Sequence, residues 1–109
     1  MQLTGFDGRV ALVTGAAGGI GEALVRLLAE AGCTVVATDR EAPHVADTRV
    51  RSFALDVTDS AAVDALVDQV ESSIGPITLA ASGAGVLHVG SVAETGDADW
   101  RRVFAVNAD

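Results

Sequence analysis

Apolar and polar positions along the chain fall into blocks of two kinds, short unbroken apolar runs and longer stretches with helical spacing. Arg9 to Thr14 is a β-branched and apolar run that ends in a cluster of glycines, as a strand buried on both faces would. From Ile20 the apolar positions are Ile20, Ala23, Leu24, Leu27, Leu28 and Ala31. Steps of three and four place them on one face, so the spacing predicts a helix over Gly19–Ala31 with Gly32 as its C-terminal stop. Thr34 to Thr38 and Val50 to Leu55 predict a second and a third buried strand. The link between them, Asp39 to Arg49 with Pro43 inside it, is too short and polar for a full crossover helix, and a single helical turn is expected there. Val63, Leu66, Val67, Val70 and Ile74 mark another helix, with Thr58 as its cap and Gly75-Pro76 as its end. Ile77 to Ser82 predicts a fourth strand, Gly83 to Thr95 a loop, and Asp97 onward a helix that carries Trp100 and Phe104.

Strands that alternate with helices predict an α/β fold, a doubly wound parallel sheet whose four strands lie in the order 3-2-1-4 if the crossovers are right-handed. At 109 residues the chain makes one domain. Charge narrows the partners. Fifteen acidic side chains face seven basic ones, a net charge of -8 that repels phosphate backbones and anionic head groups. Nucleic acid and membrane surfaces are therefore not expected as partners, and small molecules are. The uncharged stretch from Ile74 to Ala93 is long enough to span a membrane, but Pro76 and its glycines and serines read instead as a strand and a glycine-rich loop. A lone Cys33 beside a strand reads as a buried apolar thiol and makes neither a disulfide nor a thiolate metal cluster, so no metal is expected. The first nine residues do not read as a signal peptide, and a cytoplasmic location is expected.

The densest chemical signal is Thr14-Gly15-Ala16-Ala17-Gly18-Gly19-Ile20-Gly21, set between a predicted strand and a predicted helix. One glycine permits a tight turn at the strand end, a second lets the backbone approach a pyrophosphate, and a third lets the helix pack on the sheet. The helix N-terminus adds N–H groups without partners and a positive partial charge. A dinucleotide is the ligand this arrangement suits, and a flexible Gly/Ala connector is the plain alternative.

The spacing Thr-Gly-x-x-x-Gly-x-Gly resembles that of the short-chain dehydrogenase/reductase family, and with its strand and helix it implies a partial Rossmann-type sheet. The resemblance makes Gly15, Gly19, Ile20 and Gly21 cofactor contacts. Asp39 lies at the end of the second predicted strand, about twenty residues past the glycines, where a carboxylate accepts both ribose hydroxyls and repels a 2′-phosphate. This favours NAD over NADP, with Arg40 beside it as a partial counter-charge and a cap or loop role for Asp39 as the alternative. Leu55-Asp56-Val57-Thr58-Asp59 resembles the family's adenine-pocket segment, in which the Asp56 carboxylate takes the adenine amino group and the Val57 backbone lines the pocket. An Asx turn or helix cap is the competing role.

The fourth-strand segment, Gly75 through Leu87, resembles one that usually ends Asn-Asn-Ala-Gly. Here Ser82-Gly83 replaces the two Asn, and Ala84 and Gly85 keep their implied approach to the cofactor ribose. Trp100-Arg101-Arg102-Val103-Phe104-Ala105-Val106-Asn107 resembles the helix whose Asn joins the catalytic proton relay, which makes Asn107 the one catalytic candidate. Within the family, the short Asp39-to-Asp56 interval and the segments from Ala84 to Gly90 and from Asp99 to Asn107 resemble 2,3-dihydro-2,3-dihydroxybenzoate dehydrogenases of catechol-siderophore synthesis. Those enzymes oxidise a dihydrodiol to a catechol with NAD, and His88 stands where Arg is expected.

The family's chemistry depends further on a Ser after a fifth strand and a Tyr-x-x-x-Lys pair, Tyr as acid/base and Lys to lower its pKa. All seven cations here are Arg, and the chain has no Lys and no Tyr. His44 and His88 have no partner motif that would make either a base. Residues 1–109 are therefore expected to be the N-terminal dinucleotide-binding part of such a domain, without its C-terminal half and inactive alone. A non-catalytic adenosine-binding half-domain, a fragment of another ketoreductase, and a non-functional truncation product with an unpaired fourth-strand edge stay as alternatives. In its full-length form the resemblance implies a small-molecule substrate and a homo-oligomer.

Overall fold

The computed structural model describes residues 5–83 and, for the backbone alone, 87–89. Its elements are β1 (Val10–Thr14), α1 (Gly19–Glu30), β2 (Thr34–Asp39), β3 (Val50–Ala54), α2 (Ser60–Ser73), β4 (Ile77–Ser82) and β5 (Leu87–Val89). They form one sheet in the order β3-β2-β1-β4-β5. The pairs β1·β2, β1·β4 and β2·β3 are parallel, which realises the expected order 3-2-1-4.

Side-chain alternation sorts the core into two layers. Along β1, Ala11 and Val13 face the cluster that holds Val25, Leu28 and Ala29 of α1, together with Val35, Ala37, Leu79 and Ala81. Val10 and Leu12 face the opposite cluster, with Leu66 and Val70 of α2, Val36, Ile77 and Ala80. Every residue of β1 is buried, because helices cover both faces of the central strand. Burying a residue such as Leu12 or Val36 stabilises the fold by about 1.5–3 kcal/mol.

The element ends show where local chemistry decides. Helix α1 stops as the glycine predicts: Gly32 takes φ +97°, and the Gly32 and Cys33 amides donate to the Ala29 and Leu28 carbonyls. Cys33 is buried, its thiol donates to the Phe6 carbonyl at 3.3 Å, and desolvation raises its pKa. The cap of α2 is Asp59, whose carboxylate accepts from the Ala62 amide at 3.1 Å, and not Thr58. Thr58 is diverted because its own hydroxyl donates to Asp56.

Two connections differ from expectation. No helical turn forms between β2 and β3, which are joined by an irregular link held by a buried Pro43 and by Val45 packed on the α1-side cluster. Proline gives the reason: buried Pro43 has no amide to donate to a helical turn, and it holds Ala42 before it out of the helical region. Near its end the Asp47 carboxylate accepts from the Arg49 amide and guanidinium at 2.9–3.2 Å and turns the chain into β3.

The predicted loop after Gly83 contains β5, antiparallel to β4 with Leu79 opposite Val89 and Ala81 opposite Leu87. The outer edge of β4, unpaired in the alternative of a truncation product, is thus covered at these residues. Trp100, Phe104 and the helix predicted from Asp97 lie outside the described residues.

Candidate dinucleotide site

In a parallel sheet all the carboxyl ends lie along one edge, and here that edge gathers the chemistry. Chain order carries β1 to β2 and β3 on one side and then to β4 on the other, so β1 and β4 flank the point where the winding direction reverses. Ligands of open α/β sheets bind in that crevice. Thr14 pairs with Thr38 on one side and Ser82 on the other, so the glycine turn, Asp39 and Gly83 emerge side by side.

The turn begins at Gly15, whose φ of +64° suits a residue without a Cβ. Its carbonyl accepts from the Gly18 amide at 3.3 Å, and the Ala16 amide is tied to the Thr38 carbonyl at 2.9 Å. Gly21 brings α1 onto this turn: a Cβ there would lie 2.1 Å from the Gly15 oxygen and 2.8 Å from the Ala16 Cα. Gly19 differs, since a Cβ on it would meet nothing within 4 Å. Ile20 beside it is 58% exposed, the one large hydrophobic side chain so exposed among the described residues.

The two helix starts differ in one respect that matters for binding. Whereas Asp59 caps α2, the N-cap of α1 is Gly18, with no side-chain cap bond. No hydroxyl or carboxylate of the described residues accepts from the first-turn amides of α1, which leaves them for an anion.

Asp39 stands next to the turn, half-buried at the end of β2. Its Oδ2 accepts from the Ala17 amide at 3.0 Å and its Oδ1 from the Arg40 amide at 2.7 Å. Arg40, expected as its counter-charge, forms no ion pair with it among the described residues; the two ion pairs there are Arg26–Glu22 and Arg49–Asp47. The Arg40 charge is felt at Asp56.

Asp56 follows β3, and the Leu55 amide before it donates to the Asp39 carbonyl at 2.7 Å, which holds the two carboxylate positions on adjacent strand ends. Its Oδ1 accepts from both the Thr58 hydroxyl at 2.6 Å and the Thr58 amide at 2.9 Å. Those bonds, the hydroxyl's first, hold the Asp56 pKa below the usual carboxylate value. The Asx-turn role is therefore realised, and the exposed carboxylate still presents Oδ2. Val57 is half-buried against the α2-side cluster.

Of the site residues read from sequence, Gly15, Gly19, Ile20, Gly21, Asp39, Asp56 and Val57 lie along the carboxyl ends of β1, β2 and β3. Ala84, Gly85 and Asn107 lie outside the described residues, as does the side chain of His88. Two participants had no signal in the sequence. The Ala17 amide meets Asp39 across 22 positions, and Gly83 meets the Gly15 carbonyl, through strand register alone. Among the described residues no group of His, Cys, Asp and Glu suits a metal ion, and no helix is long and apolar enough to cross a membrane.

Comparison with known proteins agrees with this geometry. The chain is 37% identical to a 2,3-dihydro-2,3-dihydroxybenzoate dehydrogenase of Bacillus subtilis, across 99% of this chain and 45% of that protein. It is 36% identical to an NADP-dependent (R)-specific alcohol dehydrogenase of Lentilactobacillus kefiri, across 95% of this chain and 44% of that one. The ligand-free aldohexose dehydrogenase of Thermoplasma acidophilum superimposes with a TM-score of 0.66 at 26% identity, over 94% of this chain and 42% of that structure. The chain thus spans less than half the length of these relatives. The family model described as short chain dehydrogenase matches residues 9–109, from the start of β1 onward, and the chain belongs to that family.

Proposed function

We propose that residues 1–109 are the dinucleotide-binding part of a short-chain oxidoreductase and that the dinucleotide is NAD. Members of the family use NAD or NADP. The residues fit such a ligand: the first-turn amides of α1 carry no side-chain cap, the space at Gly19 is open, and carboxylates stand at the ends of β2 and β3. The amides past Gly18 would face the pyrophosphate, Asp39 the adenosine ribose and Asp56 the adenine amino group, with Ile20 and the Val57 backbone lining the way. When bound, the nicotinamide supplies hydride exchange with a substrate carbon.

One observation carries the choice of NAD. Backbone amides of Ala17 and Arg40 hold the Asp39 carboxylate by both oxygens, and no cation is paired with it among the described residues. Each oxygen keeps a further lone pair for a ribose hydroxyl, and the fixed negative charge repels a 2′-phosphate. The Lentilactobacillus relative is named for NADP, so the family alone does not make this choice.

Substrate chemistry is read from the name of the relative in Bacillus subtilis, a 2,3-dihydro-2,3-dihydroxybenzoate dehydrogenase; for the whole protein we add, from the family resemblance, a catechol product in siderophore synthesis, a cytoplasmic location and a homo-oligomer. The proton must move through groups these 109 residues do not contain, since they have neither Tyr nor Lys. Asn107 would join that relay, and Ala84 and Gly85 would approach the cofactor ribose. The chain itself binds NAD without turning it over.

Calorimetry with NAD, NADP and adenosine tests the reading. NAD should bind at least roughly tenfold more tightly than NADP, and Asp39→Ala should erase that preference. Equal affinity of the unaltered chain for NADP would refute the choice of NAD, and no binding of any of the three would refute the site.

A further inference from the structure

Past the end of β3 stand two exposed carboxylates, Asp56 and Asp59, and the fold uses them differently. Asp59 is committed to helix α2, its Oδ1 accepting from the Ala62 amide at 3.1 Å. Asp56 is held by one oxygen only. Both donors of Thr58, the hydroxyl at 2.6 Å and the amide at 2.9 Å, reach the same Oδ1. Two bonds to one oxygen fix the torsions of a short side chain that would otherwise turn among its rotamers, and Oδ2 is left without a protein donor among the described residues. The backbone before it is fixed as well, since Leu55 is buried and its amide donates to the Asp39 carbonyl. A competitor for Oδ2 stands near. The Arg40 charge acts on Asp56, yet the two form no ion pair, and a carboxylate released from Thr58 would be drawn toward that guanidinium.

We propose that Thr58 is a positioning residue that makes the site selective for adenine over a 6-oxopurine: its hydroxyl holds the Asp56 carboxylate by Oδ1, so that Oδ2 is kept for the amino group of the base. This rests on the reading of the site given above. An ionised carboxylate only accepts, so it binds a base edge that carries an amino group and repels one that carries a carbonyl oxygen there. Hypoxanthine differs from adenine in that exchange. Thr58→Val keeps the size of the side chain and the amide bond to Oδ1 but loses the hydroxyl bond, the shorter of the two. The rest of the site does not depend on this hydroxyl. Asp59 caps α2, and the Asp39 carboxylate is held by the amides of Ala17 and Arg40.

The test is calorimetry of the unaltered chain, Thr58→Val and Thr58→Ser with NAD and with nicotinamide hypoxanthine dinucleotide. The unaltered chain should favour NAD by at least roughly tenfold. Valine should lower NAD affinity by about three- to tenfold, the effect of having to order one loosened side chain on binding, and change affinity for the hypoxanthine dinucleotide by less than about twofold. Serine, which restores the hydroxyl, should restore the preference. A valine variant that keeps the full preference would overturn the role of Thr58 and leave the site standing, and equal losses for both dinucleotides would mark a merely structural role and overturn it too. If the unaltered chain binds both dinucleotides equally, the assignment of Asp56 to the adenine falls and takes the proposal with it. A further measurement needs no variant. Three-bond NMR couplings across the Asp56 Cα–Cβ bond should report one rotamer in the free chain and the same rotamer with NAD, and averaging among rotamers in the free chain would overturn the proposal.

Discussion

The same substitution made two residues apart, Gly19→Ala and Gly21→Ala, should change stability in opposite directions. Both positions begin α1, and neither has a positive φ, so alanine suits the backbone at each. Helix propensity favours alanine over glycine by about 1 kcal/mol, less at a helix end, a difference that already contains the greater freedom of glycine in the unfolded chain. At Gly19 nothing opposes this, because the new methyl meets no atom within 4 Å, and the variant should be more stable by about 0.5–1 kcal/mol. At Gly21 the methyl would sit 2.1 Å from the Gly15 oxygen and 2.8 Å from two backbone carbons. Ordinary contact needs a retreat of about 1.3 Å by backbone that is itself pinned to β2 through the Ala16 amide. Overpacking of this kind costs about 1–3 kcal/mol, at its upper end when backbone must move, so the balance at Gly21 is a loss of about 1–2 kcal/mol. Urea unfolding followed by circular dichroism would read both as shifts of the midpoint at constant slope, and a thermal scan would read the Gly21 loss as a fall in melting temperature of roughly 4 °C or more. A Gly21→Ala chain as stable as the original, or a destabilised Gly19→Ala chain, would refute the account of how α1 meets the turn.

Replacing Asp59 by Ala removes the carboxylate that accepts from the Ala62 amide and should cost about 1 kcal/mol in the same urea assay, with Thr58→Ala costing less at this helix start. Asp56 should titrate below the ordinary carboxyl value of about 3.9 in a carbon-detected NMR titration, and Thr58→Val, which removes the hydroxyl donor, should move it upward. Because the folded pKa is the lower one, whatever stability this group adds is present above about pH 3.9 and is lost as the pH falls through the depressed value. A wild-type Asp56 titrating at or above the ordinary value would contradict the bonds to Thr58.

Much of the fold was legible because burial on both faces leaves a mark in sequence. Unbroken runs such as Val10–Thr14 and Ile77–Ser82 contrast with the three-and-four spacing from Ile20 to Ala31, and glycines at 15 and 32 mark a turn and a helix stop. The link between β2 and β3 differs from expectation because the polar character of residues 40–49 hides the one residue that is buried there, Pro43. Strand β5 was missed because three residues are too few to show alternation. Thr58 and Asp59 are both good caps, and only the nearby Asp56, which takes the threonine hydroxyl, decides between them.

The order and type of the main elements, and the glycine turn with its two downstream carboxylates, are already written in the amino-acid order. These follow from local rules: side-chain period, backbone freedom and capping. Tertiary structure decided what each of those residues meets. The Ala17 amide holds Asp39 across 22 positions, and Gly83 at the end of β4 meets the Gly15 carbonyl. Such meetings depend on sheet register, and register is a sum over many weak contacts between distant segments that no local pattern records.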